Sequence, residues 1–231
     1  MIAGYLGLPL SYPFVCETNS GAKIRLANRE DLATAWIIFL RGEYRVEAKD
    51  QTIVDCGANI GVFSIYAACA ATESHVFALE PYPSTFRDLV ENITLNGLDK
   101  RVACISAAVT DSDGVVNMYA APEVPSQARQ VIRPSGPDTV PVPAMKLSTL
   151  LDKIGVGRID LLKMDIEGSE HPALLAADPV VLRRVQRLCV EYHQTGSKSA
   201  LFLHLQAAGF VLRRDRVLGH NYGVADFAQS Q

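Results

Sequence analysis

The chain has 231 residues, of which 48% are hydrophobic and 20% charged, and its formal net charge is −3. That length accommodates one α/β domain with a full core and a small extension. The nearly balanced charge provides no basic footprint for nucleic acid, so we expect no nucleic-acid partner. No apolar run is long enough to span a membrane, and residues 1–13 lack the basic region of a signal peptide.

Cysteine usage indicates the redox setting. The five cysteines, at positions 16, 56, 69, 104 and 189, are odd in number and form no C-x-x-C pair. Those at 56, 104 and 189 fall in predicted strands, where cysteine behaves as a small core residue. This pattern indicates a reducing compartment, and we expect a cytoplasmic protein.

The first part of the chain is predicted to be an extension of the main domain. Residues 1–20 contain prolines and glycine and predict an irregular arm, followed by a short strand at 23–26. Apolar residues recur at helical spacing over 31–40, which predicts a helix that covers the mouth of the next domain. We therefore place an N-terminal arm and covering helix at residues 1–45, and the main domain at residues 46–231.

Predicted strands alternate with predicted helices in the main domain. This alternation is typical of an α/β fold, with a mostly parallel sheet and helices on both faces. The strands are expected at 52–54, 75–80, 102–105, 115–119, 159–164, 185–192, 210–213 and 222–227. The helices are expected at 60–71, 83–95, 148–154, 169–177 and 197–208, with a short one after 178.

Residues 121–142 interrupt this alternation with a proline-rich segment. Six prolines fall between residues 122 and 143, with Ser, Gln and Asp in the gaps. Proline cannot donate a backbone hydrogen bond, so we expect no regular element here. A loop of this length inside a compact domain is typically a lid or a binding loop, and we predict a mobile flap.

A glycine turn after the first strand of the main domain predicts a nucleotide-type site. Asp55 ends this strand, and Gly57 and Gly61 then bracket a turn into a helix. Backbone N–H groups and the helix N-terminus converge on one spot, which suits a nucleotide-like ligand. We expect Gly57 to allow the sharp turn and Gly61 to let the helix pack close to the strand. Asn59, between them, tolerates left-handed backbone.

An acidic residue follows the next predicted strand. Glu80 stands about twenty residues past the turn, where an acid binds the hydroxyls of a ribose. Two cofactors fit this geometry, a nicotinamide dinucleotide and S-adenosylmethionine. A dinucleotide fingerprint requires G-x-G-x-x-G, whereas positions 59 and 62 are not glycine. The pattern D-x-G-x-N-x-G from Asp55 to Gly61 instead looks like the first motif of class I methyltransferases.

A second cluster of ionisable residues follows the predicted strand 159–164. Asp165 and Glu167 precede the next helix, and Glu170 falls in its first turn. Ligands in open α/β sheets bind at the carboxyl ends of strands, which places Asp165 beside the glycine turn. We attribute Glu170 to the helix dipole, which favours acids at a helix N-terminus. Lys163 lies on the same side of the strand as Asp165 and would steady its charge.

His193 is the candidate general base. It follows the strand that carries Glu191, and neighbouring parallel strands end at the same rim, so we expect His193 to face Asp165. Imidazole titrates near neutral pH and can remove a proton from a hydroxyl. One alternative is a surface histidine without a role. The other is a divalent-metal site, for which Asp165, Glu167, Glu191 and His193 offer oxygen and imidazole ligands; we favour a reaction without metal.

Six segments together resemble the FkbM family of S-adenosylmethionine-dependent methyltransferases. They are VDCGANIG at 54–61, FALEP at 77–81, NITLNG at 92–97, LSTLLD at 147–152, LKMDIEGSE at 162–170 and VEYH at 190–193. Their order and spacing make the resemblance specific, and it runs from about residue 45 to residue 215. The resemblance implies a Rossmann-like class I methyltransferase fold with a seven-stranded sheet. It also implies O-methylation of hydroxyls on sugars, polyketides and other secondary metabolites.

The resemblance further implies a cofactor, a partner and individual roles. S-adenosylmethionine is the implied cofactor, and a small hydroxylated acceptor is the implied partner. Whether the protein forms a homodimer is left open. The methionine part would be held by Asp55, Gly57, Asn59 and Gly61, the ribose by Glu80 with Pro81, and the adenine by Ser106 and Ala107, with Asp165 beside them. From the residues themselves we assign proton removal to His193, with Asp165 orienting it or sharing the role, and with Lys163 steadying the charge of Asp165.

Two rival functions remain beside methyl transfer. A nicotinamide-dependent oxidoreductase is opposed by the missing third glycine. A non-catalytic module that kept the cofactor fold is opposed by the intact Asp55, Glu80 and Asp165. A methylation assay separates this module from an enzyme.

Overall fold

Thirteen strands and seven helices are formed by the residues that this computed structural model describes, which are 10–119, 130–132, 135–220 and 222–230. The strands are β1 (Phe14–Glu17), β2 (Lys23–Leu26), β3 (Thr52–Cys56), β4 (His75–Leu79), β5 (Val102–Ile105), β6 (Ala108–Val109), β7 (Gly114–Tyr119), β8 (Val131–Ile132), β9 (Thr139–Met145), β10 (Leu161–Met164), β11 (Arg187–Tyr192), β12 (Phe210–Gly219) and β13 (Tyr222–Gln229). The helices are α1 (Arg29–Phe39), α2 (Val62–Ala70), α3 (Pro83–Leu95), α4 (Leu147–Ile154), α5 (Glu170–Leu175), α6 (Pro179–Leu182) and α7 (Lys198–Ala207).

Seven of the strands form the central sheet in the order β12-β13-β11-β10-β3-β4-β5. Strand β13 runs antiparallel to both of its neighbours, and the other neighbouring pairs are parallel. Strands that are joined by a helical crossover run parallel to each other, whereas β12 and β13 are joined by a short connection and form an antiparallel hairpin. The predicted seven-stranded, mostly parallel sheet is confirmed.

Helices cover both faces of this sheet because its strands are apolar on both sides. On β3, Val54 belongs to a core that includes Leu150 of α4 and Leu205 of α7. Its neighbour Ile53 belongs to the opposite core, which includes Phe63 of α2. Successive side chains of a strand point to opposite faces, so the two cores lie on opposite sides of the sheet, as predicted.

The N-terminal part packs against α2 and α3. Strands β1 and β2 form an antiparallel hairpin, and α1 follows with Asn28 as its N-cap. The prediction of an irregular arm over residues 1–20 is wrong for Phe14–Glu17. A four-residue strand has little periodicity of its own, and its partner is supplied by the hairpin. Residues 1–9 lie outside the described part of the chain.

Asn92 of α3 connects the hairpin to the glycine turn. Its side-chain amide accepts a hydrogen bond from the N–H of Arg25 and donates to the carbonyl oxygens of Arg25 and Ile60. The side chain is almost fully buried, at 1% exposure, so these three bonds are shielded from water. The N-terminal hairpin is thereby fastened to the same loop that opens α2.

The proline-rich segment contributes to a second sheet, of order β6-β9-β7-β8. The prediction that prolines exclude regular structure over 121–142 is wrong, because Pro141 and Pro143 lie within β9 and pair with β7. Proline is tolerated on a strand edge, where its missing N–H faces away from the ladder. Strand β9 meets its second neighbour, β6, only at its last two residues. Residues 120–129 and 133–134 of the predicted flap lie outside the described residues.

Two further observations concern membrane-spanning helices and the cysteines. None of the helices in the described ranges is long and apolar enough to cross a membrane. All five cysteines are free. Cys56 and Cys189 are buried in the two cores, as predicted for strand cysteines, whereas Cys104 is half-buried at the edge of one core.

Candidate functional site

A cavity of about 410 Å³ opens at the carboxyl ends of β3, β4, β10 and β11. Ligands of open α/β sheets bind at this edge. Helix α1 covers one side of the cavity with Thr34, Ile37 and Ile38. Of the residues singled out in the sequence, the lining includes Gly57, Asn59, Glu80, Pro81, Ala107, Lys163, Asp165, Glu167 and Glu191. The described lining does not include Asp55, Gly61, Ser106 or His193.

The glycine turn has the left-handed backbone that its sequence predicts. Gly57, Asn59 and Gly61 have φ angles of 78°, 51° and 89°. A Cβ on Gly57 would lie 1.7 Å from the carbonyl oxygen of Asp165, so only glycine fits here. A Cβ on Gly61 would lie 2.7 Å from the side chain of Leu89. The expectation that Gly61 serves helix-to-strand packing is therefore corrected, because its close neighbour belongs to α3.

Asp55 is the centre of a buried polar network beneath the turn. Its carboxylate lies 3.0 Å from the Lys163 ammonium and accepts a 2.7 Å hydrogen bond from the Ser64 hydroxyl. The ammonium also donates to the carbonyl oxygen of Gly57, at 2.9 Å. Burial alone would lower the pKa of Lys163, but the charges of Asp55 and Asp165 raise it above its ordinary value. Lys163 thus lies closest to Asp55, while Asp165 is 3.9 Å away.

Glu80 lies at the end of β4, and both of its carboxylate oxygens accept hydrogen bonds from backbone N–H groups. One accepts from the N–H of Asn59 at 3.1 Å and the other from the N–H of Tyr82 at 2.9 Å. Burial raises the pKa of this carboxyl to about 7 despite these hydrogen bonds. The side-chain oxygen of Asn59 is buried and has no hydrogen-bond partner among the described residues. A buried acceptor without a donor is unusual in a folded protein, and this one lies at the ligand end of the turn.

Glu191 and Asp165 lie beside each other on the adjacent strand ends. Met164 of β10 and Val190 of β11 are directly paired across the sheet, and Asp165 and Glu191 are the residues that follow them. The Glu191 carboxylate accepts hydrogen bonds from the hydroxyl of Tyr222 at 2.6 Å and from that of Tyr44 at 3.3 Å. Sequence patterns did not identify these two tyrosines, because their partner becomes adjacent only in the folded sheet.

His193 lies between two carboxylates. Its Nδ1 is 3.1 Å from Oε1 of Glu170, and its Nε2 is 3.5 Å from Oε2 of Glu167. Burial acts to lower the pKa of His193, but the hydrogen bond and charge of Glu170 and the charge of Glu167 raise it to about 9. Burial and the charge of Asp165 raise the pKa of Glu167 to about 8.

Glu170 has a larger part in this site than its position in a helix predicts. It is fully buried, and its two oxygens accept hydrogen bonds from the N–H groups of Ile166 and Gly168. The attribution to the helix dipole is therefore incomplete, because the carboxylate holds the loop between β10 and α5 and also holds His193. Only its spacing to the preceding D-I-E-G stretch could have indicated this role.

The donor set for a divalent metal differs from the four residues that the sequence suggested. Ligand atoms of Asp165, Glu170 and His193 lie within 4.8 Å of one another. Both Glu170 oxygens already accept backbone hydrogen bonds, and one of them also faces His193. On Oε1 a cation would displace the contact with His193, which occupies the second lone pair, whereas Oε2 accepts one N–H and keeps one lone pair. The arrangement is better suited to a hydrogen-bonded cluster than to a metal site.

Known proteins with similar sequences include methyltransferases. A family model described as a methyltransferase FkbM domain matches residues 55–215. Methyltransferase sdnD of Sordaria araneosa is 28% identical over 194 residues, which cover 71% of this chain and 75% of that protein. The 31-O-demethyl-FK506 methyltransferase FkbM of Streptomyces tacrolimicus is 27% identical over 192 residues, with coverages of 70% and 73%.

Solved structures with a similar fold also include methyltransferases. Methyltransferase FkbM from Methylobacillus flagellatus superposes with a TM-score of 0.55 at 17% identity, over 84% of this chain and 47% of that one. TYW2 from M. jannaschii, solved in complex with AdoMet, has a TM-score of 0.51 at 16% identity, over 96% of this chain and 90% of that one. These likenesses establish a Rossmann-like fold of the methyltransferase type.

Proposed function

The chain belongs to the FkbM family of methyltransferases, and from this premise we propose that it transfers a methyl group from S-adenosylmethionine to a hydroxyl oxygen. The acceptor is a hydroxyl of a sugar, a polyketide or another secondary metabolite. The M. jannaschii neighbour, which holds AdoMet, supports the cofactor. The S. tacrolimicus relative, named for a 31-O-demethyl substrate, supports an oxygen acceptor.

The observation that carries the proposal is the fit of the glycine turn and Glu80 to this cofactor. Gly57 lets the end of β3 lie against the backbone of Asp165, which brings the turn and the end of β10 to the same side of the cavity. The buried oxygen of Asn59 lacks a partner that an ammonium group would provide. Each oxygen of Glu80 accepts one backbone N–H and keeps a lone pair for a ribose hydroxyl. Ala107 lines the cavity beyond β5, where the adenine would lie.

The chain contributes alignment, because the cofactor supplies a methyl group that is already activated on a sulfonium. Holding two reactants in line accounts for a large part of the barrier reduction in such displacements. The Asp55–Lys163 pair fixes the turn through the Gly57 carbonyl before a ligand enters. Helix α1 covers the cavity with Ile37 and Ile38, which limits the access of water to the reacting atoms.

Calorimetric titration tests the assignment of the cofactor site. The parent protein should bind S-adenosylmethionine, and Glu80→Ala should bind it about 1–3 kcal/mol more weakly, because hydrogen bonds to a charged carboxylate are lost. Glu73→Ala removes an exposed acid before β4 and is the matched control, which should bind like the parent. Unchanged affinity in a folded Glu80→Ala protein would contradict the ribose role. Binding of NAD in the same titration would instead support the rival oxidoreductase.

A methyl-transfer assay tests the reaction. Cofactor with a labelled methyl group is incubated with a panel of hydroxylated sugars and polyketides, and products are analysed for an O-methyl carbon by NMR. We expect transfer to at least one hydroxyl acceptor. A protein that binds the cofactor and transfers the methyl group to nothing would be a binding module, and transfer only to nitrogen or carbon would reject an O-methyltransferase.

A further inference from the structure

We propose that Glu191 takes the proton from the acceptor hydroxyl, and that Tyr44 and Tyr222 position its carboxylate. This inference rests on the proposed O-methyltransferase function and deepens it. It replaces the sequence-based expectation that His193 is the base.

Glu191 faces the cavity at the point where the strand ends converge. It follows Val190 of β11, and its neighbour across the sheet is Asp165, which follows the paired Met164 of β10. Both carboxylates line the cavity, and Glu191 is half-buried, so one side of it is accessible to a ligand. A base must lie within hydrogen-bond reach of the hydroxyl that it deprotonates, and Glu191 is placed for that contact.

Four other carboxylates line the cavity in the described chain, and each already has a charged partner or backbone partners. Glu43 is paired with an arginine, Asp165 lies 3.9 Å from a lysine, and Glu167 lies 3.5 Å from a histidine. Proton uptake by any of these three would weaken an ion pair. Glu80 has both oxygens on backbone N–H groups at the ribose end. Glu191 alone combines a place in the cavity with neutral side-chain donors.

His193 does not have the free lone pair that a base requires. Both ring nitrogens face carboxylates, Glu170 on one side and Glu167 on the other. With a pKa of about 9 the imidazole is protonated at neutral pH. It is also absent from the described lining of the cavity. Its place suits a positioning residue that holds Glu167 and the loop after β10.

The two tyrosines leave Glu191 able to accept a third hydrogen bond. Tyr222 donates to one carboxylate oxygen and Tyr44 to the other, and each oxygen has two lone pairs. Burial, followed by the charge of Asp165, raises the pKa of Glu191 to about 7, while the hydrogen bond from Tyr222 acts to lower it. A base is most effective when its pKa lies near the working pH.

The step balances with the groups named. The acceptor oxygen forms its bond to the methyl carbon as the carbon–sulfur bond breaks, and the electron pair of that bond remains on sulfur as a neutral thioether. The O–H bond breaks, and its proton moves to the Glu191 carboxylate. The protonated Glu191 then releases the proton to water through the open side of the cavity.

Steady-state kinetics of Glu191→Gln and Tyr222→Phe test the proposal. Glu191→Gln should lower kcat by about a hundredfold or more, with cofactor affinity by calorimetry within about twofold, because the change is isosteric and lies away from the turn. Tyr222→Phe should move the acid limb of the pH–kcat profile upward by about one pH unit, since a hydrogen bond to the charged form is lost. Tyr192→Phe is the control, because its hydroxyl pairs with Asp215 outside the cavity, and it should leave the profile in place.

Several results would overturn the proposal. A Glu191→Gln enzyme that keeps kcat within tenfold of the parent would reject Glu191 as the base, as would an unchanged acid limb in Tyr222→Phe. Loss of the acid limb in His193→Gln, with its retention in Glu191→Gln, would assign the proton to His193. Abolition of parent activity by EDTA would favour a metal. If the parent protein methylates no hydroxyl, the proposed function itself is wrong. If the parent is active and Glu191→Gln is equally active, only the assignment of the base is wrong.

Discussion

Gly57→Ala is the most direct test of how the site is built. A Cβ at this position would lie 1.7 Å from the carbonyl oxygen of Asp165 and 2.8 Å from its carbonyl carbon. Both atoms are backbone, so the ends of β3 and β10 would have to separate. The φ angle of 78° adds a cost of about 1–2 kcal/mol for any L residue. Overpacking adds about 1–3 kcal/mol. We therefore expect the free energy of unfolding to fall by about 2–5 kcal/mol.

Gly155→Ala is the matched control for the backbone cost. Gly155 has a φ angle of 68°, and a Cβ there would meet nothing within 4 Å. This variant should lose only the left-handed term, about 1–2 kcal/mol. The difference between the two variants isolates the close approach of the strands.

Urea denaturation and cofactor titration measure both consequences. Gly57→Ala should unfold at clearly lower urea than Gly155→Ala, and the folded variant should bind S-adenosylmethionine more weakly, because the moved backbone carries the turn. Gly155→Ala should bind like the parent. Equal free energies of unfolding for the two variants would refute the argument that backbone contact requires glycine at residue 57.

Two further predictions concern the charged groups below and around the cavity. Ser64→Ala should lower the free energy of unfolding by about 1–3 kcal/mol, because the buried Asp55 carboxylate loses its hydroxyl donor; full stability in urea denaturation would show that the donor is dispensable. The ligand-free protein should melt at a higher temperature at pH 6 than at pH 9. The raised pKa values of Glu80, Glu167 and His193, about 7, 8 and 9, mean that stability is lost as pH rises through them. Scanning calorimetry that shows the opposite order would contradict these placements.

Local sequence patterns were sufficient to predict the fold and one half of the candidate site. The alternation of strands and helices predicted the parallel sheet, because each β-α unit is set by neighbouring residues. The turn at Gly57 and the acid at Glu80 were predicted from spacing, since both belong to one such unit. The edge strand Phe14–Glu17 and the proline-containing β9 were missed, because a strand of this kind depends on a partner elsewhere in the chain.

The amino-acid sequence by itself determined the fold class, the family and the glycine turn and Glu80 at one end of the cavity. Only the tertiary structure decided the surroundings of the side chains at the other end. It placed His193 between Glu170 and Glu167. It also brought the hydroxyls of two tyrosines from distant segments within hydrogen-bond distance of Glu191. The protonation of a side chain depends on the burial and charge around it, and these are set by residues that are far apart in the sequence.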